Sequence, residues 1–181
     1  MFGKILDKKG LNYLKYPDGV DMRLTKAGEY AIRCALFLSF QGMGVVTSKK
    51  EIAGAMGIPG QFLGKIAQQL ARAGIIEIVQ GAKGGYRLLV PSWKLTLLDV
   101  VEAVIGEIFL NDCVVRPESC DRISACAVHR IWEKARDQLR ETLRQADFKG
   151  ILADKSCTAE LMAATKELKQ FHGHSGITRQ P

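Results

Sequence analysis

The stretch SKKEIAGAMGIPGQFLGKIAQQLARAG, residues 48–74, decides the fold of this chain. Ser48 with Glu51 three residues later is the pattern of a capping box, which opens a short helix. Gly57 permits the left-handed backbone of a tight turn, and Pro59 suits the first turn of a second helix. A generic helical hairpin has a similar periodicity. The spacing of small and apolar residues favours two helices in a helix-turn-helix.

A glycine-rich hairpin is predicted directly after this helix pair. Two runs rich in β-forming residues, 75–79 and 86–90, flank the sequence QGAKGG. A phosphate-binding loop is the alternative for GAKGG, but the G-x-x-x-x-G-K-[ST] arrangement is absent. Helix-turn-helix and hairpin together predict a mainly α-helical fold with a small β-hairpin wing, the winged helix-turn-helix.

Further amphipathic helices are predicted on both sides of this unit. Residues 25–40 carry an apolar stripe that includes Cys34, and Thr25 is a suitable N-cap. Thr96 opens another helix. Residues 128–146, VHRIWEKARDQLRETLRQA, form a long helix with a narrow apolar seam and charged flanks. Packing on its own domain is the alternative for this last helix, but its length and narrow seam favour pairing in a two-fold dimer.

The positive charge of the chain is concentrated in one segment. The net charge is +7, and residues 22–95 alone hold ten lysines and arginines against three glutamates. A basic segment joined to a neutral remainder indicates contact with a polyanion, and a solvated basic surface is the alternative. No apolar run is long enough to cross a bilayer, and the N-terminus lacks a secretory signal pattern. We therefore expect no membrane association, a cytoplasmic location and reduced thiols.

Three cysteines and a histidine lie within residues 113–129, CVVRPESCDRISACAVH. Soft thiolates from a flexible loop suit an iron–sulfur cluster, and Cys113, Cys120 and Cys126 supply three of them. Zinc is an alternative, although the usual tight C-x2-4-C spacing is missing. Thiols that form a switch disulfide are another. Cys34 is expected in the core, and Cys157 is expected to be a free thiol in a C-terminal tail.

Several segments resemble the Rrf2 family of bacterial transcription regulators: MRLTKAGEYA (22–31), the SKKEIA…GIP helix pair, GAKGGYRL (81–88), LTLLDVVEAVIG (95–106) and the three-cysteine segment followed by HRIW. The resemblance covers residues 22 to about 154. It implies a homodimeric regulator, not an enzyme, that binds a pseudo-palindromic operator in double-stranded DNA. It also implies an iron–sulfur cluster that senses iron, redox state or nitric oxide.

The resemblance further implies the ligands of that cluster. Cys113, Cys120 and Cys126 would bind it, and His129, three residues after the last cysteine, is the preferred fourth ligand. Glu29 is the competing fourth ligand, because nitric-oxide-sensing members supply an aspartate from that position of the partner subunit. A histidine suits a [2Fe–2S] cluster, which we prefer over [4Fe–4S]. A cluster-free regulator with a thiol switch or a zinc site, and a cluster carrier or electron-transfer protein, are the alternative functions.

The residues expected to contact DNA fall into three groups. Residues at or near helix N-termini suit phosphates: Arg23, Thr25, Lys26, Ser48 and Lys49. Residues on the outward face of the second helix of the pair suit base edges in the major groove: Gln61, Lys65 and Gln68. Residues of the hairpin suit the minor groove, the phosphates or a close backbone approach: Lys83, Gly84, Gly85 and Arg87.

The expected organisation of the chain has six parts. They are an N-terminal extension (1–21), a winged helix-turn-helix domain (22–95), a connecting helix (96–112), a cysteine loop (113–127), a dimerisation helix with a short C-terminal element (128–154) and a tail (155–181) that is largely disordered after a short helix over 158–170.

Overall fold

The computed structural model describes residues 5–6, 12–13 and 25–173. Its strands are β1 (Ile5–Leu6), β2 (Asn12–Tyr13), β3 (Ile76–Val79) and β4 (Gly85–Leu88), which form two antiparallel pairs, β1 with β2 and β3 with β4. Its helices are α1 (Lys26–Gln41), α2 (Lys49–Met56), α3 (Gly60–Arg72), α4 (Leu97–Ile105), α5 (Asp112–Val115), α6 (Ala127–Gln145), α7 (Phe148–Leu152) and α8 (Lys155–Gly173). The predicted fold class, mainly α-helical with a β-hairpin wing, is confirmed. No helix in the described ranges has the length and apolar character that a bilayer span requires.

Helices α2 and α3 form the helix-turn-helix. The Ser48 hydroxyl accepts the Glu51 N–H at 3.2 Å and so caps α2. Gly57 ends that helix with φ 59° and ψ 36°, the left-handed conformation that glycine adopts at no steric cost. The Ile58 N–H then reaches back to the Ala53 carbonyl at 3.0 Å, which fixes the direction in which the chain enters α3.

The wing, formed by β3 and β4, is joined to the start of α2 by a short extra bridge. Thr47 and Tyr86 exchange two backbone hydrogen bonds of 2.9 Å each, immediately before the Ser48 cap. The chain approaches so closely here that a Cβ on Gly85 would collide with the Thr47 carbonyl. Gly85 is therefore required by packing inside the domain.

We expect Gly85→Ala to lower the free energy of unfolding by roughly 1–3 kcal/mol, because backbone atoms on both sides must move to admit a methyl group. Urea denaturation followed by circular dichroism measures the change. Gly150→Ala is the matched control, since a Cβ there would make only an ordinary contact, 3.5 Å from Asp147 Oδ1. Equal stability of the two variants would contradict the steric argument.

The core is built around α1, whose buried side chains include Cys34, Phe37 and Leu38. Helix α4 packs across α1, and Phe148 of α7 is fully buried in the same cluster. Burial raises the pKa of the Cys34 thiol to about 12, so this thiol stays protonated at neutral pH. Cys34 is thus a core residue, as its place on the apolar stripe predicted.

The C-terminal region differs from the predicted disordered tail. Residues Lys155–Gly173 form α8, which packs against α2, α7 and α1. Leu161 is only 3% exposed, and Cys157 packs against the core, so the free thiol of Cys157 lies in a packed helix and not in a disordered tail. The short helix predicted over 158–170 is therefore longer than expected and packed, because sparse apolar positions in a polar segment did not indicate a contact surface. The rest of the predicted tail, 174–181, and most of the predicted extension, 1–21, lie outside the described residues.

Candidate functional site

The predicted base-contacting residues lie together on the solvent face of α3. Gln61, Lys65 and Gln68 are exposed, whereas Leu63 and Ile66 on the opposite face are buried in the core. The 3.6-residue period of the helix produces this division, because the buried positions recur at spacings of three and four. One side of α3 thus anchors the helix, and the other presents two amides and an ammonium group to solvent.

Phe62 lies at the edge of this polar face and was not singled out from the sequence. Its side chain is 43% exposed, and its ring centroid lies 5.9 Å from that of Tyr30 on α1. An aromatic side chain in this position can contact a thymine methyl group in a major groove. The available signal was its place one residue before Leu63, on the flank of the predicted apolar stripe.

Three of the residues predicted for phosphate contact have structural tasks at the helix starts. The Thr25 hydroxyl accepts the Gly28 N–H at 3.3 Å, and Ser48 caps α2 in the same way. Lys26 pairs with Glu29 at 2.8 Å. Such a solvent-exposed pair is weak, so Lys26 could exchange Glu29 for a DNA phosphate at little cost. Lys49 is exposed in the first turn of α2, and Arg23 lies outside the described residues.

Of the predicted wing residues, the one at the tip of the hairpin is exposed, and the others make contacts within the protein. Lys83 is exposed at the tip, and Arg87 pairs across the two strands with Glu77 at 2.7 Å. A Cβ on Gly84 would collide with the Val79 carbonyl, just as Gly85 faces Thr47. Both glycines are therefore explained by the close approach of protein backbone, and DNA contact by them stays a prediction.

Glu29, the competing fourth ligand, is engaged on its own helix. Its carboxylate accepts hydrogen bonds from Lys26 and from Arg33, one turn further along α1. The hydrogen bond from Lys26 is the main cause that lowers the pKa of the Glu29 carboxyl. Desolvation opposes it, and the charges of Lys26 and Arg33 add to the lowering. Within one protomer this carboxylate therefore already has two basic hydrogen-bond donors.

The predicted cysteine loop folds into short helical turns. Cys113 lies in α5, and two 3₁₀ turns, Pro117–Ser119 and Ile123–Ala125, precede Cys120 and Cys126 respectively. The Sγ of Cys113 lies 3.4 Å from Nδ1 of His129, which lies in the first turn of α6. The three thiols are half-buried. The segment is thus more structured than the open loop expected from its proline and polar residues.

The four predicted ligands have the donor types of a metal centre, but their positions in the structure do not form a closed site. Three thiols and an imidazole form a donor set suited to iron or zinc, and the Cys113–His129 approach brings two of the four together. Across the described residues, however, no three cysteine, histidine or acidic side chains are gathered closely enough to hold a metal ion. Cys120 and Cys126 are therefore not assembled with that pair into a closed site.

Polar contacts connect the cysteine segment to α3 through α6 and α4. Arg140 of α6 lies 2.7 Å from a Glu102 carboxylate oxygen and 2.9 Å from one of Glu107, which ties α6 to the end of α4. Gln69 of α3 donates to the Val104 carbonyl of α4 at 3.0 Å. The partners are distant in sequence and no local pattern marks them, so sequence reasoning missed these links.

Helix α6 leaves its apolar seam uncovered. None of its residues is buried, and Val128 and Ile131 are 54% and 63% exposed. A stripe of apolar side chains on a 19-residue helix is a candidate contact surface for another chain.

Comparison with known proteins identifies relatives over the helix-turn-helix, the wing and α6. The model of the Rrf2 family, described as an iron-dependent transcriptional regulator, matches residues 24–154. Protein aau3 of Rhizobium meliloti is 36% identical over 124 residues, which cover 68% of this chain and 80% of that protein. The HTH-type transcriptional regulator IscR of Vibrio cholerae is 25% identical over 133 residues, 74% of this chain and 76% of that protein.

A solved structure supports the same fold. CymR, the global cysteine regulator of B. subtilis, superposes with a TM-score of 0.61 at 22% identity and covers 74% of this chain and 98% of that chain. The related proteins regulate transcription and are not enzymes. Since the family model covers well over half of the sequence, including the helix-turn-helix, the wing and α6, this chain belongs to the Rrf2 family of DNA-binding transcriptional regulators.

Proposed function

We propose that this chain forms a dimeric regulator whose binding to a pseudo-palindromic operator is controlled by an iron–sulfur cluster held by Cys113, Cys120, Cys126 and His129. The observation that carries the cluster assignment is the 3.4 Å approach of Cys113 Sγ to His129 Nδ1 at the start of α6. As a regulator of chromosomal genes it would work in the cytoplasm.

The DNA-reading surface is supported by the exposed face of α3 and by the charge of its domain. Gln61 and Gln68 can each pair with adenine, and Lys65 can donate to guanine, when α3 enters a major groove. Lys26 and Lys83 extend the positive surface to α1 and the wing, where phosphates would fix the orientation of the domain. Phosphate contacts supply affinity, and the α3 face supplies selectivity.

Dimerisation is supported by the uncovered seam of α6. A second copy would cover Val128, Ile131 and Leu139 with the same residues of its own α6, as a two-fold interface requires. Two protomers joined in this way carry two α3 helices, which match half-sites about one turn of DNA apart.

Cluster binding by these residues is supported by the donor chemistry and by the family model, which is described as iron-dependent. When bound, the cluster would supply a centre whose oxidation state and integrity respond to oxygen, nitric oxide or iron supply. Cys120 and Cys126 would have to move toward Cys113 and His129 to complete the ligand set. A [2Fe–2S] cluster is our preference because His129 is available as the fourth ligand.

The residues between the two sites provide a physical route for control. A rearrangement of residues 113–126 acts on α6 through His129, and α6 is tied to α4 by Arg140 and Glu102. Helix α4 in turn is bonded to α3 through Val104 and Gln69. A small shift of α6 would therefore change the relative placement of the two α3 helices of a dimer.

A cluster-free regulator is the second candidate, and one observation favours it. The described residues contain no preassembled set of three metal ligands. This observation favours half-buried thiols that act as a redox switch. Zinc binding, the other cluster-free alternative, would need the same gathering of ligands as a cluster. Iron and acid-labile sulfide analysis of protein purified without oxygen separates the two candidates.

We expect the full-length protein to select a two-fold related sequence from a random duplex library. It should bind that sequence at least about a thousandfold more tightly than random DNA. Affinity should fall by roughly 10³–10⁵ between 50 and 200 mM salt if six to ten phosphates are contacted. Fluorescence anisotropy over a salt series measures both quantities. Failure to enrich any sequence would refute operator binding, whatever the iron content.

A further inference from the structure

Two glycines of α3 lie beside the side chain of Lys49 on α2. These are Gly60 and Gly64, which lie one turn apart. A Cβ on Gly60 would lie 3.9 Å from Lys49 Cε, and a Cβ on Gly64 would lie 3.3 Å from Lys49 Nζ. The aliphatic part of the Lys49 side chain therefore lies along α3, and its ammonium group lies against Gly64.

The Lys49 ammonium borders the polar face of α3. Gly64 lies between that face and α2, one turn from both Gln61 and Gln68. Among the described residues, Lys26 and Arg87 are paired with carboxylates, at 2.8 and 2.7 Å, whereas no carboxylate pairs with Lys49. Its donors are thus available to an acceptor approaching the face of α3.

We propose that Lys49 reads a base, donating to O6 and N7 of a guanine in the major groove, and takes the place of the side chain that Gly64 lacks. The first turn of α2 would ordinarily be assigned to phosphate contact. The two glycines of α3 instead allow the Lys49 side chain to reach across this helix. This assignment rests on the proposed operator binding, and it makes Lys49 and Gly64 one specificity-determining unit.

The test uses the full-length dimer and the duplex selected by the wild-type protein, together with duplexes in which each guanine is replaced in turn by 7-deazaguanine or by another base. Lys49→Met keeps the stem and removes the charge. We expect it to weaken binding to the selected duplex by roughly 10- to 100-fold and to abolish the preference at one symmetric base pair in each half-site. Gly64→Ala displaces the ammonium but keeps the charge, so it should weaken the same base-pair preference with an unchanged salt slope.

Lys50→Met is the matched control, because Lys50 is the exposed neighbour on α2, and it should leave every base preference intact. An equal loss of affinity by Lys49→Met for all duplexes, with a salt slope smaller by about one per subunit, would identify a phosphate contact and overturn this inference. Operator binding itself would then stand. If the wild-type protein selects no duplex, the proposed function fails, and this inference fails with it.

Discussion

Alanine at Cys113, Cys120 or Cys126 is expected to strip iron from protein prepared without oxygen. Each thiolate is one of four proposed ligands, and even changes to groups that only support a ligand weaken metal binding about 10–100-fold. Loss of a ligand should do at least as much. Iron and sulfide per protomer, with the visible absorption spectrum, measure retention of the cluster. Operator binding by the same preparations measures the coupling between the two sites.

Cys157→Ala provides the matched control for this series. Cys157 is also half-buried but lies on α8, outside the proposed ligand set, so its variant should keep its iron. His129→Ala and Glu29→Gln extend the comparison to the fourth ligand, and the contact of His129 with Cys113 favours a loss in the histidine variant alone. Wild-type iron content in all three cysteine variants would eliminate the proposed site. Iron-free variants that still respond like the wild type would eliminate the coupling.

A glutamate in place of Ile131 is expected to convert the dimer into monomers. The side chain is 63% exposed in the protomer, so the substitution leaves the fold intact and acts on the contact between copies. Two carboxylates would then have to be desolvated within an apolar two-fold seam. Because the linked half-sites then bind separately, operator affinity should drop by roughly 10²–10⁴-fold. Light scattering after gel filtration gives the mass, and anisotropy gives the affinity.

Arg144→Glu tests whether charge alone explains such an effect. Arg144 is exposed on α6, the helical period places it on the side opposite Val128, Ile131 and Leu139, and its replacement changes the charge by two units. This variant should remain dimeric. A dimeric Ile131→Glu protein would show that α6 does not form the interface, and a monomeric wild-type protein would remove dimerisation from the proposed function.

The helix-turn-helix and the wing could be predicted because their determinants are local. Gly57 marks the turn whether or not the remainder of the chain is known, since few other residues accept its left-handed backbone. Thr96 and Asp99 likewise form the reciprocal capping box that their three-residue spacing predicts. The outward position of Gln61 and Lys65 follows from the helical period alone.

The candidate cluster site could be predicted in its residue types but not in its geometry. Spacing indicates that Cys113 and His129 belong to one donor set, yet their approach depends on how α6 docks on the rest of the protomer. That docking uses Arg140 and two glutamates that are remote in sequence. The packing of the C-terminal helix could not be predicted for a related reason. Leu161 is buried, but its partner surface on other helices cannot be read from its neighbours in sequence.

Helix α8 has a consequence for recombining members of this family. The family match ends at residue 154, one residue before α8 begins, but α8 packs on the first helix of the helix-turn-helix. A chimera joined at that boundary would lose Leu161 or replace it with a residue from another protein. The surface against which Leu161 packs would change, and this would disturb the helix-turn-helix almost a hundred residues earlier in the chain. Chimeras that transfer α8 together with its own α2 would keep the DNA-reading helices and the helix that packs against them.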